Sequence, residues 1–162
     1  MRKIERILVC IDFSEYSQET LEYAVTLAPQ EAAIIIINVI NSRDLSAVRA
    51  VSAYFPEPDV VEQYIERNVT ARKQHIQQMI DEHHADCRDR FTSIICTGVP
   101  FEEILETVEK ERIDLVIMGS KGRSNLARTL FGSNAEKVFR HSPVPVLSIR
   151  ERKSSKTRVQ SE

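Results

Sequence analysis

Residues 114–138 read DLVIMGSKGRSNLARTLFGSNAEKV, and this stretch changes character twice. Residues 114–118 (DLVIM) form a short apolar run, the pattern of a strand buried on both faces. Gly119 ends it, a polar and basic loop follows, and residues 133–141 are suited to a helix. Residues 144–149 (VPVLSI) then return to strand character. A strand, a connection with a helix, and a second strand make a crossover unit, which implies parallel strands. The chain has four glycines in 162 residues, and three of them, Gly119, Gly122 and Gly132, fall within 14 consecutive positions. So sparing a use suggests that these three are placed for backbone reasons.

Working outward, the same alternation repeats. Residues 4–11 (IERILVCI) read as a strand, and Ser14 is placed to cap a helix carrying Leu21, Ala24, Val25 and Ala28. Residues 32–40 (AAIIIINVI) read as a central strand. Residues 41–59 have mixed polarity and contain Pro56 and Pro58, so they read mostly as loop. From Val60 a helix places Val61, Ile65, Val69, Ile76, Met79 and Ile80 on or near one face. Residues 91–97 are a third strand, broken by Gly98 and followed by a helix from Pro100 carrying Phe101, Ile104, Leu105 and Val108. The result is one α/β domain over residues 1–150, a mainly parallel five-stranded sheet with helices on both faces. Residues 151–162 contain a single apolar side chain, Val159, and are expected to be a disordered polar tail.

Composition narrows the function. The 22 basic and 24 acidic side chains leave a formal charge of −2, which gives no electrostatic reason to expect nucleic acid as a partner. The longest apolar stretch, residues 32–37, is far short of the ~20 residues of a membrane helix. The odd cysteine count (Cys10, Cys87, Cys96) has no CxxC pair, and no secretory signal precedes the first strand. Reduced thiols and a cytoplasmic location are therefore expected.

In an open parallel sheet, ligands bind beyond the carboxyl ends of the strands, where the strand order reverses. Two strand ends here are unusual. The first runs into Cys10, Ile11 and Asp12, and the fourth into Met118, Gly119, Lys121, Gly122 and Arg123 before Gly132 and Ser133 open a helix. A Gly-Ser pair at a helix start offers unpaired amides and a hydroxyl at the positive end of the dipole, which suits phosphate. The competing reading is an ordinary loop with a capping serine.

The spacing Gly119, two residues, Gly122, nine residues, Gly132-Ser133 resembles the nucleotide-binding pattern of the universal stress protein family. So do Asp12-Phe13-Ser14, Asn38-Val39-Ile40, Gly98-Val99-Pro100, and Pro143 with the residues after it. The resemblance covers about residues 3–150 and implies a Rossmann-like sheet of order 3-2-1-4-5, similar to that of the adenine nucleotide alpha hydrolases. It implies ATP, or ADP or AMP, bound at the switch point between strands one and four, with Mg²⁺ on the phosphates and no separate metal cage. By the same resemblance Asp12 contacts the nucleoside, Val39 lies along adenine, and Met118, Gly119 and Gly122 line the ribose and phosphates; Cys10 and Ile11 at the first strand end and the cations Lys121 and Arg123 are candidates beside them. Gly132, Ser133, Asn134 and Ala135 hold the phosphates, although Ala135 stands where some ATP-binding members have a hydroxyl. Also implied are a homodimer formed through residues 144–149 and a role in the stress response. An empty scaffold that recruits an unidentified protein partner is the alternative.

Other signals carry less. Glu82, His83, His84, Asp86 and Cys87 have the chemistry of metal ligands, but adjacent histidines point ~100° apart on a helix, so a solvated helix end is expected. His141 is placed to complement a helix dipole, and Cys10 and Cys96 read as core thiols. No nucleophile and base are paired, and no enzymatic activity is assigned beyond slow ATP hydrolysis.

Overall fold

A computed structural model describes residues 3–54, 59–120 and 132–150. The elements in chain order are β1 (Arg6–Cys10), α1 (Ser17–Leu27), β2 (Ala33–Asn41), α2 (Ser42–Ser52), α3 (Val60–His83), a 3₁₀ turn (Ala85–Arg90), β3 (Phe91–Gly98), α4 (Pro100–Lys110), β4 (Leu115–Gly119), α5 (Ser133–His141) and β5 (Val146–Ile149). The five strands form one sheet in the order β3-β2-β1-β4-β5. Every neighbouring pair is parallel, with Cys10 opposite Ile37 on one side and Met118 on the other.

Alternation along the strands sorts the core into two layers. Ile7, Val9, Ile34, Ile36 and Ile117 turn to the face covered by α1 and α3, where Leu21, Ala24, Ile76 and Ile80 meet them. Leu8, Ile35, Ile37, Val116 and Met118 turn to the other face, against Ile104 and Val108 of α4 and Ala135 and Val138 of α5. Each large side chain buried in this way contributes roughly 1.5–3 kcal/mol. Both layers leave the carboxyl ends of β1, β2 and β4 pointing into one crevice.

The structure corrects the sequence reading at two points. Residues 41–59 are not mostly loop, because α2 occupies Ser42–Ser52. Asn41, at the end of β2, starts it by accepting a hydrogen bond from the Arg43 amide, and Leu45 alone among its side chains is buried. Pro56 and Pro58, which suggested loop, lie outside the described residues. Second, Ser14 does not cap α1. The helix begins at Ser17 after Tyr16, with no side-chain cap, and Asp12 closes the turn before it: its Oδ1 accepts from the Ser14 amide at 3.0 Å and from Ser17 Oγ at 3.4 Å. The described glycines adopt ordinary backbone. None has positive φ, and Gly132 sits at φ −70°, ψ 153°, which any residue adopts. Positive φ falls instead on Phe13 (60°), Asp59 (67°) and Arg112 (52°). The expected tail over residues 151–162 lies outside the described residues.

Candidate functional site

At the end of β1 the Ile11 amide donates to the Ile37 carbonyl at 3.0 Å, one step beyond the regular pairing with β2. The chain then leaves the sheet. Phe13 enters the left-handed region, and its ring stacks on His75 of α3 with centroids 4.4 Å apart and planes 5° from parallel. Asn38 of β2 is buried; its Nδ2 donates to the Ile11 carbonyl at 2.7 Å, and its Oδ1 accepts from Nη1 of Arg72 at 2.6 Å.

On the other side of β1, the residue after β4 is tied twice. The Ser120 amide donates to the Ile149 carbonyl at 2.7 Å, and the Ser120 carbonyl accepts from the Gly132 amide at 2.8 Å. Gly132 is the N-cap of α5, and its carbonyl accepts the first helical bond, from Glu136, at 2.9 Å. The amides of Ser133, Asn134 and Ala135 belong to the first turn, which has no intrahelical partners. They carry the positive end of the helix dipole.

These ends enclose a cavity of about 480 Å³, within the range of small-molecule sites. Of the residues expected to bind ligand, Cys10, Ile11, Asp12, Val39, Met118, Gly119, Gly132, Ser133, Asn134 and Ala135 all line it. Lys121, Gly122 and Arg123 lie outside the described residues. The cavity also includes side chains that the sequence reading did not select, namely Ile37, Asn38, Asn41, Asp44, Arg72, Pro100 and Ile104. Asn38 had a readable signal, as the only polar residue in AAIIIINVI. Arg72 had none, since it is brought to the cavity by the packing of α3. Asp44 comes with α2, a helix that was read as loop.

The thiol of Cys10 is held protonated, its pKa raised first by burial and then by Asp12. It is therefore a neutral wall of the cavity and not a nucleophile. Cys96 on β3 is pushed up to about 11, mainly by burial and then by Glu103.

The histidine pair differs from the solvated helix end read from sequence. His83 is exposed, but His84 is buried, its ring 6.0 Å from that of Phe91 and its Nε2 without a partner among the described residues. Burial lowers the His84 pKa most, and His83 lowers it further, while Glu22 and Asp86 oppose. Among the described residues, no three or more His, Cys, Asp or Glu side chains are grouped to hold a metal ion. No described helix is long and apolar enough to cross a membrane.

Comparison with known proteins agrees with this fold. The family model for the universal stress protein family matches residues 3–150. Universal stress protein MJ0577 of Methanocaldococcus jannaschii is 30% identical over 159 residues, spanning 93% of this chain and 97% of that protein. A solved structure of MJ0577 superposes with a TM-score of 0.77 at 27% identity, covering 93% of this chain and 99% of that one. Two more distant structures share the fold. One is a universal stress protein in complex with cAMP (TM-score 0.57, 19% identity, 92% and 98% covered). The other is the universal stress protein from Archaeoglobus fulgidus in complex with dAMP (TM-score 0.54, 13% identity, 93% and 100% covered).

Proposed function

The chain belongs to the universal stress protein family, and on that premise we propose that it binds ATP, or ADP or AMP, in the cavity at the ends of β1, β2 and β4 and acts as a nucleotide-dependent regulator of the stress response. One observation carries this reading: a single cavity combines the Asp12 carboxylate, the apolar Val39 and the N-terminus of α5. Those three features suit, in order, a sugar hydroxyl, a flat base and a chain of phosphates. A charge-assisted hydrogen bond from a ribose hydroxyl to a carboxylate is short and directional. The first-turn amides of α5 and the Ser133 hydroxyl can hold phosphate oxygens without a lysine. Related proteins of this fold hold cAMP and dAMP, which are adenine nucleotides with one phosphate. Mg²⁺ would enter with the phosphates, because the cavity's described carboxylates are only Asp12 and Asp44.

Assembly belongs to the same proposal. β5 is an edge strand, and on the neighbouring α5 the Phe139 side chain is 61% exposed. An edge strand beside an exposed aromatic side chain favours pairing with a second copy, so the proposal includes a homodimer, and the family resemblance adds a cytoplasmic location. Sedimentation at tens of micromolar tests this, and a monomer would remove it. For the nucleotide, the purified protein is heated and the released small molecules are identified, then ATP, ADP and AMP are titrated with and without Mg²⁺. Submicromolar to micromolar binding supports the proposal. No release and no binding would leave a scaffold that works through protein partners.

A further inference from the structure

The buried carboxamide of Asn38 connects three elements. It receives a hydrogen bond from Arg72 on α3 at 2.6 Å and gives one to the Ile11 carbonyl at the end of β1 at 2.7 Å. A carboxamide can turn either end toward either neighbour, but a guanidinium only donates. Arg72 therefore requires Oδ1 on its own side, which leaves Nδ2 for Ile11. With its amide also bound to the Ile37 carbonyl at 3.0 Å, Ile11 has both backbone polar groups tied to β2. It is the last residue so fixed before Asp12. Helix α3 secures the next step as well, since His75 stacks on Phe13 and the Arg72 guanidinium lies 6.0 Å from the same ring.

We infer that Arg72 is a positioning residue for the nucleoside end of the ligand: acting through Asn38, it fixes the end of β1 and so aims the Asp12 carboxylate into the cavity. This inference rests on the nucleotide reading above and adds to it a division of labour. The nucleoside end is set by α3 and β2, and the phosphate end by α5. Arg72 lines the cavity and is cationic, so the alternative to be excluded is that it serves the phosphates directly.

The test is calorimetric titration of ATP, AMP and inorganic tripolyphosphate into the full chain and four variants: Arg72→Met, Arg72→Lys, Asn38→Leu, and Arg72→Met with Asn38→Leu. Removing the donor that orients Asn38 is expected to weaken ATP and AMP by the same factor, about tenfold, with tripolyphosphate unaffected. Arg72→Lys restores a single donor to Oδ1 and is expected to recover most of the loss. The double variant is expected to bind no worse than Asn38→Leu alone, because one variant acts through the other. A loss that grows with phosphate number, a loss on tripolyphosphate, or additive effects in the double variant would overturn the inference. Melting curves accompany each titration. Where Arg72→Met does not fold, Asn38→Asp takes its place: it keeps the acceptor for Arg72 but sets a second oxygen against the Ile11 carbonyl. It should lose ATP and AMP equally, and parent-like binding by it would also overturn the inference. Failure of the parent to bind either nucleotide is a separate result that removes the nucleotide reading, and this inference with it.

Discussion

Replacing Asp12 separates the carboxylate's two tasks. In the fold, Oδ1 accepts from the Ser14 amide at 3.0 Å and, at the weak distance of 3.4 Å, from Ser17 Oγ. The first is a hydrogen bond to a charged group, worth about 1.5–3 kcal/mol, and the second adds only a few tenths. The turn it closes includes Phe13 at φ 60°, a conformation that costs a bulky residue of order 1 kcal/mol and needs support from its surroundings. Water replaces part of the lost bond at this half-buried position, so Asp12→Ala should destabilise the fold by about 1–2 kcal/mol. For a chain of this size that is a fall in melting temperature of about 2–8 °C. At the ligand, losing a charge-assisted hydrogen bond should cost a further ~1–3 kcal/mol, or about 5- to 150-fold in ATP affinity. Asp12→Asn distinguishes the two. Asparagine closes the same turn through its own Oδ1, so its melting temperature should stay near the parent's while ATP affinity falls. Calorimetric melting and ATP titration of both variants provide the measurement. An Asn variant that binds ATP like the parent, beside an Ala variant that only melts earlier, would show Asp12 to be a turn residue and refute its role toward the nucleoside.

Further outcomes follow from other positions. Gly132→Val should fold normally, since φ −70° accepts valine, yet lose ATP binding because the side chain occupies the phosphate end; undiminished binding would end the assignment of Gly132 and Ser133. Leu45→Ala removes the one buried side chain of α2 and should cost about 2–3 kcal/mol if α2 opens only with the whole domain. Hydrogen exchange that speeds up in α2 alone would show local opening instead. His84 is held neutral by burial, its pKa below the ordinary 6.5. The unfolded chain therefore binds the proton more readily, and stability is complete above about pH 6.5 and falls as pH drops below it. His84→Phe should flatten that part of a urea-midpoint profile, and an unchanged slope would assign it to other groups.

The fold was readable because two periodicities agreed. Runs such as ILVCI and AIIII have no polar face, so they require cover on both sides, and the segments between them supply helical stripes at Leu21, Ile76 and Ile104. Helix α2 was hidden because it buries only Leu45 and so has no apolar stripe, and because two prolines follow closely. The cavity lining was legible where it depends on chain order, at Asp12, Gly119 and Gly132. It was illegible where distant elements converge, as when α3 brings Arg72 beside Asn38 across 34 positions. The left-handed turn beside the cavity is made by Phe13, whose type gives no warning of it.

The central strand pairs with partners that arrive at very different times as the chain is made. β2 follows β1 almost at once, but Met118, opposite Cys10, emerges 108 positions later. At roughly 5–20 residues per second, one edge of β1 waits about 5–20 s on the ribosome before β4 can cover it. During that interval Ile7, Leu8 and Val9 lie along an open edge of the kind that recruits stray strands. The same delay applies to the cavity, whose Asp12 turn and Gly132 lie 120 positions apart along the chain. A nascent chain can thus present the Asp12 turn, but it lacks the α5 end of the cavity until Ala135 has been added. A chain that stops short of β4 would therefore be sticky along β1 and lack half of the cavity's lining.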